Sequence, residues 1–414
     1  MTENLVLHAG PPSHEHRQAI VDKVIGHTQN QIEAVCRHYV EEHVQYGLSI
    51  EEAQALLRFA FLMRSSNDSS ARALLMHPTT QYWLAAMRRA SGDVDIAQRR
   101  PFARHVSSLA LQVELANEGQ GEWDIDLDQE GGLRIPIFAR HIEFGPERAG
   151  QTVRVSCLTG FLRCSFADGM TIELPNEDLL GDIQAPEPAL ETDGFWINCY
   201  QRLADDRVQL QRRDEWLRPH WTGTNERQTG TIFFGASEEQ YPADHPVEPY
   251  KIATENIKSS SREIAEDVFT FTPVMVPRTT GKNQRIGFTV LSRQGAMFLD
   301  PDEPKIMAEN IIHENAHVKL RYMQLVDPIL ENFYDDDKQR FPVPWRPDPR
   351  PLPGILEGAY VFSNVLEHRR KSGIKADVKD DLERDVAQAI DLLAEHGKFT
   401  EAGRSFLNEL ACWK

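Results

Sequence analysis

In the first part of the chain, apolar residues recur every three or four positions, which is the spacing of one face of an α-helix. The pattern runs through AIVDKVIGHTQNQIEAVCRHYV, and residues 49–52 (SIEE) have the sequence of a capping box in front of ALLRFAFLM. A helix break is expected near His77-Pro78, because proline disfavours helical backbone at the residue before it. The pattern therefore predicts a helical N-terminal region over residues 1–120.

The pattern changes near Gly119, where short runs begin to alternate between apolar and polar positions. Alternation with a period of two is typical of half-buried strands, and turn residues separate the runs. The predicted strands, in chain order, are WDIDLD, LRIPIFARHIEF, TVRVSCL, FLRCSF, MTIEL, FWINCYQRL, RVQLQ and TIFFG. Residues 121–240 are therefore predicted to form a β-rich middle region of antiparallel strands.

Helical spacing returns in residues 241–414. One helix is predicted over about 248–268, and a second, capped by Asp302, over KIMAENIIHENAHVKLRYMQL. The proline-rich segment FPVPWRPDPRPLPG should be extended, whereas ILEGAYVFSNVLEHRR and DDLERDVAQAIDLLAEH should form two more helices. The whole chain is thus predicted to have an α+β fold, with a helical N-terminal region, an antiparallel β-rich middle and a mainly helical C-terminal domain.

Composition narrows the classes of function. The net charge of −18 disfavours a nucleic-acid partner, because an acidic chain gains little from releasing the counterions of phosphates. No apolar run is long enough to span a bilayer, and the N-terminus lacks a signal-peptide pattern. Five scattered cysteines without C-x-x-C spacing are typical of reduced thiols. These features predict a cytoplasmic protein without a membrane partner, and they leave its oligomeric state open.

Residues 313–317 spell H-E-N-A-H, an HExxH motif inside a predicted helix. Residues four apart lie on one face of a helix, so the imidazoles of His313 and His317 can reach one metal ion. Glu314 lies next to them, where a carboxylate could contact a metal-bound water. Residues 241–414 are therefore predicted to be a metal-binding catalytic domain.

A metal held by two histidines needs a further protein ligand, and Glu357 is the first candidate. It lies early in the next predicted helix among the apolar residues of ILEGAYVF, where an unpaired carboxylate would be costly. Glu331 and Asp335 are alternatives. Two imidazoles and one carboxylate suit zinc hydrolysis and, equally, the facial triad of non-haem iron oxygenases, so spacing leaves both chemistries open.

Three segments together resemble a known family: RQGAMFL, MAENIIHENAHVKL and PWRPDPRPLPGILEGAYVF, within roughly residues 285–370. They are similar to the 2-oxoglutarate-dependent HExxH-type peptide β-hydroxylases of ribosomal peptide natural-product clusters. Many members carry a histidine where this chain has Glu357. The resemblance implies a dioxygenase that uses Fe(II) and 2-oxoglutarate to hydroxylate a precursor peptide. It also implies His313, His317 and Glu357 as the iron ligands.

A 2-oxoglutarate site needs a cation with fork geometry for the distal carboxylate, which favours arginine. Arg350 is the first candidate, because the proline-rich segment should hold it near the metal helix, and Arg321 and Arg346 are alternatives. Tyr360, close after Glu357, is a candidate for a hydrogen bond to co-substrate or substrate. In such an oxygenase Glu314 would support the metal ligands rather than transfer a proton.

Two other functions stay open on the same residues. In a zinc metallopeptidase, His313, His317 and Glu357 would hold Zn²⁺, and Glu314 would be the general base. In a peptide-binding protein without catalysis the metal would be structural, although structural sites usually close with four ligands, often cysteines. In each case the first 240 residues are large enough to recognise a peptide.

Overall fold

A computed structural model describes residues 10, 13–66, 68–90, 96–180, 190–192, 195–211, 214, 216–217, 246–278, 287–331, 339–373 and 381–413. The helices of this part are α1 His14–Glu41, α2 Ile50–Ser65, α3 Ser69–Met76, α4 Pro78–Ala90, α5 Ile96–Ala116, α6 Asn176–Leu180, α7 Glu248–Ser260, α8 Arg262–Phe271, α9 Pro304–Val326, α10 Leu352–Ser372, α11 Leu382–His396 and α12 Glu401–Leu410. The strands are β1 Glu122–Asp126, β2 Gly132–Ile135, β3 Arg140–Glu143, β4 Thr152–Leu158, β5 Phe161–Ser165, β6 Thr171–Pro175, β7 Leu190–Thr192, β8 Phe195–Cys199, β9 Gln201–Leu203, β10 Val208–Leu210, β11 Val274–Pro277, β12 Gly287–Thr289, β13 Ala296–Leu299, β14 Phe341–Val343 and β15 Arg346–Arg350.

The N-terminal helices begin and end where local sequence signals predict. The Ser49 hydroxyl accepts a hydrogen bond from the Glu52 N–H at 3.2 Å, and the Glu52 carboxylate accepts one from the Ser49 N–H at 2.8 Å. This reciprocal pair is the predicted capping box. Helix α3 ends at Met76 and α4 begins at Pro78, so the predicted break is confirmed. The prediction of a helical N-terminal region is confirmed as well.

Two antiparallel four-stranded sheets follow, which confirms that the middle of the chain is rich in strands. Their orders are β1-β4-β5-β6 and β2-β3-β8-β7. In β1, Trp123 and Ile125 are buried and the acidic residues between and beside them face outward, as alternation predicts. The predicted strand at residues 231–235 lies outside the described residues.

A third sheet joins strands from before and after residue 240. Its order is β12-β13-β11-β10-β9, with β10, β11 and β13 parallel and the two edge strands antiparallel to their neighbours. The predicted boundary at residue 240 therefore passes through one sheet. The division into three domains stays a prediction.

Two helix boundaries differ from the expectation. Residues 248–268 do not form one helix, because the Ser261 hydroxyl accepts a hydrogen bond from the Ile264 N–H and caps the start of α8. The N-cap of α9 is Glu303 rather than Asp302, and Asp302 accepts a hydrogen bond from the Glu303 N–H at 2.7 Å. Short polar side chains can bond within their own turn as well as cap a helix, and apolar spacing does not distinguish the two.

Helix α9 lies between the third sheet and several other helices. Its residues Met307, Ile311 and Ile312 are in one apolar cluster with side chains of β11 and β13. On another face, buried Lys319 donates to the Asp267 carboxylate of α8 at 2.6 Å, and Arg17 of α1 donates to the same carboxylate at 3.4 Å. This ionic cluster (Arg17, Asp267 and Lys319) ties α1 and α8 to α9.

Two remaining expectations concern the state of the cysteines and membrane-spanning helices. All five cysteines are free thiols, and four of them are buried. Burial raises the pKa of the Cys157 thiol to about 12, so this thiol is protonated near neutral pH. Within the described ranges, no helix combines the length and the apolar character that crossing a bilayer requires.

Candidate metal centre

At the HExxH motif, α9 presents a narrow accessible stripe. Among residues 311–320, all of them described, His313 and His317 alone are half-buried, and the others are buried. Arg321 continues the stripe one turn later and is half-buried. The stripe follows from the helix repeat, because positions four apart share a face while the residues between them pack inward.

The two imidazoles meet across one helical turn. Nε2 of His313 and Nε2 of His317 are 3.3 Å apart, and the ring centroids are 5.0 Å apart. Two nitrogens at this separation fit one ion at bond lengths of about 2.1 Å, with an angle of about 100° at the metal. The separation also suits a hydrogen bond between the rings. Both nitrogens are thus placed where one metal ion could bind them.

Glu357 of α10 contacts the other nitrogen of the His317 ring. Its Oε1 lies 2.8 Å from Nδ1 of His317, and its side chain is 26% exposed. Burial by itself would raise the pKa of Glu357, but the charge and hydrogen bond of His317, followed by the charges of Arg321 and Arg350, lower it to about 2. The ionised carboxylate only accepts hydrogen bonds, so Nδ1 of His317 is the donor. In a neutral ring the lone pair is then on Nε2, the atom that faces His313.

This contact bears directly on the predicted third ligand. A carboxylate on the outer nitrogen of a metal-binding histidine orients the ring and raises its basicity. Direct coordination would require the Glu357 carboxylate to leave Nδ1 and move to the Nε2 side of His317. Within the part of the chain that the structure describes, no group of three His, Cys, Asp or Glu side chains has the geometry of a metal site. The described residues therefore offer two nitrogens to a metal, and Glu357 contacts the other ring nitrogen of His317.

Two guanidinium groups act on the Glu357 carboxylate. Nη2 of Arg321 is 3.6 Å from Oε1, and Nη1 of Arg321 donates to the Thr289 hydroxyl of β12 at 3.3 Å. Arg350 adds positive charge near the same carboxylate and pairs with Asp348 at 3.3 Å. Of the arginines predicted to bind a co-substrate, these two therefore lie by the motif.

The third candidate, Arg346, pairs with the other carboxylate oxygen of Asp348 at 3.1 Å. Strand β15 thus holds Arg346 and Arg350 on either side of one acidic residue. Arg346 directly follows the turn of the β14–β15 hairpin and Arg350 lies at its open end, just before α10, so the pairing connects the two ends of the strand.

Glu314, the predicted catalytic carboxylate, lies on the sheet side of α9. It is 6% exposed. A Cβ atom built on Gly287 of β12 would come within 3.2 Å of Glu314 Cγ, so this side chain lies against the edge strand of the third sheet. The same strand carries Thr289, the partner of Arg321. Strand β12 therefore borders the motif on one side.

Other predicted site residues lie elsewhere. Tyr360 is fully buried, with its ring centroid 5.4 Å from that of Phe406 and 5.9 Å from Nζ of Lys319. Burial raises the pKa of its hydroxyl. These contacts place it by the ionic cluster rather than beside the motif histidines. Glu331 is exposed, and its N–H donates to the Lys398 carbonyl. Asp335 lies outside the described residues.

Sequence reasoning missed two aromatic residues beside the motif. The Phe362 ring centroid is 5.4 Å from that of His313, and the ring of Trp345, in the turn between β14 and β15, is 5.3 Å from Phe362. A Cβ atom built on Gly358 would come within 2.6 Å of the Trp345 indole, so that glycine makes room for the ring. Gly358 could have indicated this close contact. Glycine inside a helix lowers the stability of the helix, so its presence there often reflects close packing.

Comparison with known proteins assigns no family. No protein-family model matches the chain, and no curated protein matches it. A functional assignment therefore depends on the residues of the site and on their geometry.

Proposed function

We propose that the protein is an Fe(II)- and 2-oxoglutarate-dependent peptide hydroxylase. The observation that carries the proposal is the pair of Nε2 atoms 3.3 Å apart on the accessible stripe of α9. Their neighbours add support, because Glu357 orients His317 and two arginines lie close by. Arginine at a metal site suits an anionic co-substrate, since its planar fork matches a carboxylate.

In this proposal each side chain has a defined task. His313 and His317 would supply two of the iron ligands, and Glu357 would keep the His317 ring in the metal-binding tautomer. Arg321 and Arg350 would bind the distal carboxylate of 2-oxoglutarate. Iron, 2-oxoglutarate and dioxygen together would supply the oxidation: one oxygen atom of O2 would enter the C–H bond of the peptide to give C–OH, and the other would enter succinate as 2-oxoglutarate loses carbon dioxide. The substrate would be a precursor peptide, and residues 1–240 would contribute to its recognition.

A zinc metallopeptidase is the second candidate, and the position of Glu314 favours it. This buried carboxylate follows the first motif histidine and lies against an antiparallel edge strand. A peptide that lengthened the sheet at β12 would pass near the motif. In that reaction Glu314 would take a proton from a zinc-bound water, and its loss would remove catalysis.

Two assays separate the candidates without knowledge of the natural substrate. Under anaerobic conditions the Fe(II)-loaded protein should develop the visible charge-transfer absorption that 2-oxoglutarate produces when it chelates iron. Arg321→Ala and Arg350→Ala should weaken this signal. The Zn²⁺-loaded protein should leave a pool of unstructured fluorescent peptides intact. No absorption with Fe(II), together with cleavage of the pool, would replace the first proposal with the second.

The variant Glu314→Gln provides a further test between the hydroxylase and the metallopeptidase. It should preserve the 2-oxoglutarate absorption of the Fe(II) protein, and it should abolish any cleavage of the peptide pool. Glu309→Gln is the matched control, because Glu309 is on the same helix and pairs with Arg369. It should leave both readouts unchanged.

A further inference from the structure

Beside the motif, aromatic rings form one continuous side of the site. The rings of His313, Phe362 and Trp345 follow one another with centroid separations of 5.4 and 5.3 Å and interplanar angles of 67° and 61°. Edge-to-face contacts of this kind are favourable for aromatic rings. We call the pair Trp345 and Phe362 the aromatic wall. It places apolar surface directly next to one of the two motif histidines.

Local packing holds the wall in place. The Trp345 indole lies on the backbone of α10 at Gly358, where a Cβ atom would approach it to 2.6 Å. Gly358 directly follows Glu357, the residue that contacts His317. The glycine that accommodates Trp345 and the carboxylate that contacts His317 are therefore neighbours in α10. A shift of the Trp345 ring would therefore also displace the Glu357 carboxylate, because packed side chains leave little free space.

The wall is open on one side. Trp345 and Phe362 are both half-buried, and they pack against the main apolar core with their inner surfaces. The motif histidines are half-buried as well. A half-buried tryptophan next to an accessible polar site offers apolar surface that a ligand can cover.

Nearby charges restrict what can cover it. Arg346 follows Trp345 in the chain, and Arg350 ends the same strand. Asp348 pairs with both arginines, so the three side chains together carry one positive charge. A cationic group would gain from the aromatic faces, but it would be repelled by this net positive charge. An acidic group would be attracted by the arginines and would gain little from the rings. A neutral apolar group covers the rings without either penalty.

From this arrangement we infer that the aromatic wall is the subsite for one aliphatic or aromatic side chain of the peptide substrate, next to the residue that reacts at the motif. The inference rests on the proposed function for its substrate class. The subsite itself is a property of Trp345, Phe362 and Gly358, so it can be tested without turnover.

The test measures binding of capped single residues by saturation-transfer NMR on the metal-free full chain. The probes are N-acetyl-phenylalaninamide, N-acetyl-leucinamide, N-acetyl-lysinamide and N-acetyl-glycinamide. The phenylalanine and leucine probes should bind, and the other two should bind at least about tenfold more weakly. Trp345→Ala should lower the affinity for the phenylalanine probe by about tenfold or more. This is the loss expected when a large part of the apolar contact between probe and protein is removed. Trp345→Phe should keep most of the affinity.

A matched control is Trp413→Ala, because Trp413 is another half-buried tryptophan, stacked on Arg370. It should not change probe binding. Co²⁺ loading supplies a second readout, since the protons of a probe bound at the wall should relax faster when the paramagnetic ion is present. Equal binding of the phenylalanine and lysine probes, or unchanged binding in Trp345→Ala, overturns the inference. Failure of Co²⁺ to bind, with Trp345-dependent probe binding intact, supports the wall and contradicts the metal centre.

Discussion

Nδ1 of His317 lies 2.8 Å from Oε1 of Glu357, on the side of the ring away from His313. The other ring nitrogen, Nε2, lies 3.3 Å from Nε2 of His313. One imidazole therefore connects a carboxylate on α10 with a potential metal position on α9. In the proposed site Glu357 would be a positioning residue for His317, and its direct coordination of the metal stays a prediction.

Metal titrations of single variants test this relationship. His313→Ala and His317→Ala should each abolish stoichiometric Co²⁺ binding, because each removes one of the two nitrogens. Glu357→Gln should weaken binding by about 10- to 100-fold, the usual loss when the carboxylate behind a metal-binding histidine is changed. The measurement is isothermal titration calorimetry, supported by the visible absorption of the bound Co²⁺.

Glu367→Gln serves as the control on the same helix, because Glu367 pairs with Lys371. It should bind Co²⁺ like the unmodified protein. Wild-type affinity in His317→Ala would show that the motif is not the metal centre. Complete loss of binding in Glu357→Gln would favour direct coordination by Glu357.

Gly358→Ala should destabilise the protein by about 1–3 kcal/mol, as overpacking of a filled site usually does. The added Cβ would meet the Trp345 indole at 2.6 Å, so the ring must move. Gly354→Ala is the matched control, because its Cβ would meet Arg350 Nε at 3.3 Å, on a flexible side chain. That variant should be neutral or gain up to about 1 kcal/mol from helix propensity. Chemical unfolding measures both, and equal stabilities would contradict the close contact.

Loss of the ionic cluster should lower the free energy of unfolding by a large amount, although the cluster is not part of the motif. Asp267→Ala should cost about 3–5 kcal/mol, because it leaves Arg17 and Lys319 buried without their shared carboxylate. Glu33→Ala removes a more exposed carboxylate that pairs with Arg37 and Arg64, and it should cost less than about 1 kcal/mol. Urea unfolding followed by circular dichroism provides the comparison. A loss below about 1 kcal/mol in Asp267→Ala would show that the cluster does not tie α1 to α9.

His77 should make stability depend on pH. Burial lowers its pKa to about 4, although a hydrogen bond with Gln209 opposes the shift. In the unfolded chain the value is about 6.5, so the unfolded state takes up the proton first as the pH falls. Stability should therefore fall between about pH 6.5 and 4, by about 3 kcal/mol in total, and this contribution should change no further below pH 4.

The variant His77→Gln should flatten this part of the stability profile. His14→Gln is the control, because His14 is exposed at the start of α1. Urea unfolding at half-unit pH steps measures the slopes. An unchanged slope in His77→Gln would show that another group dominates the acid response.

Several elements of the fold could be predicted because the physical cause is local. The capping box at Ser49 and the break before Pro78 depend on a few neighbouring residues, and both are confirmed. The prediction of a single helix over 248–268 was wrong, because Ser261 offered the backbone a new N-cap that apolar spacing does not detect. The assignment of Asp302 as a cap was wrong by one residue, because its carboxylate accepts a hydrogen bond from the adjacent Glu303 N–H and Glu303 is the N-cap.

By itself, the sequence determined that His313 and His317 share a helix face, because the geometry of one helical turn depends on the backbone alone. Tertiary structure decided what surrounds them. Glu357 reaches Nδ1 of His317, and Trp345 reaches Phe362, through the packing of α9, the β14–β15 hairpin and α10 against one another. Such contacts depend on how whole helices and strands pack against each other. A shift of one helix by the width of one side chain changes which imidazole nitrogen a carboxylate contacts. Spacing along the chain carries no information about that shift.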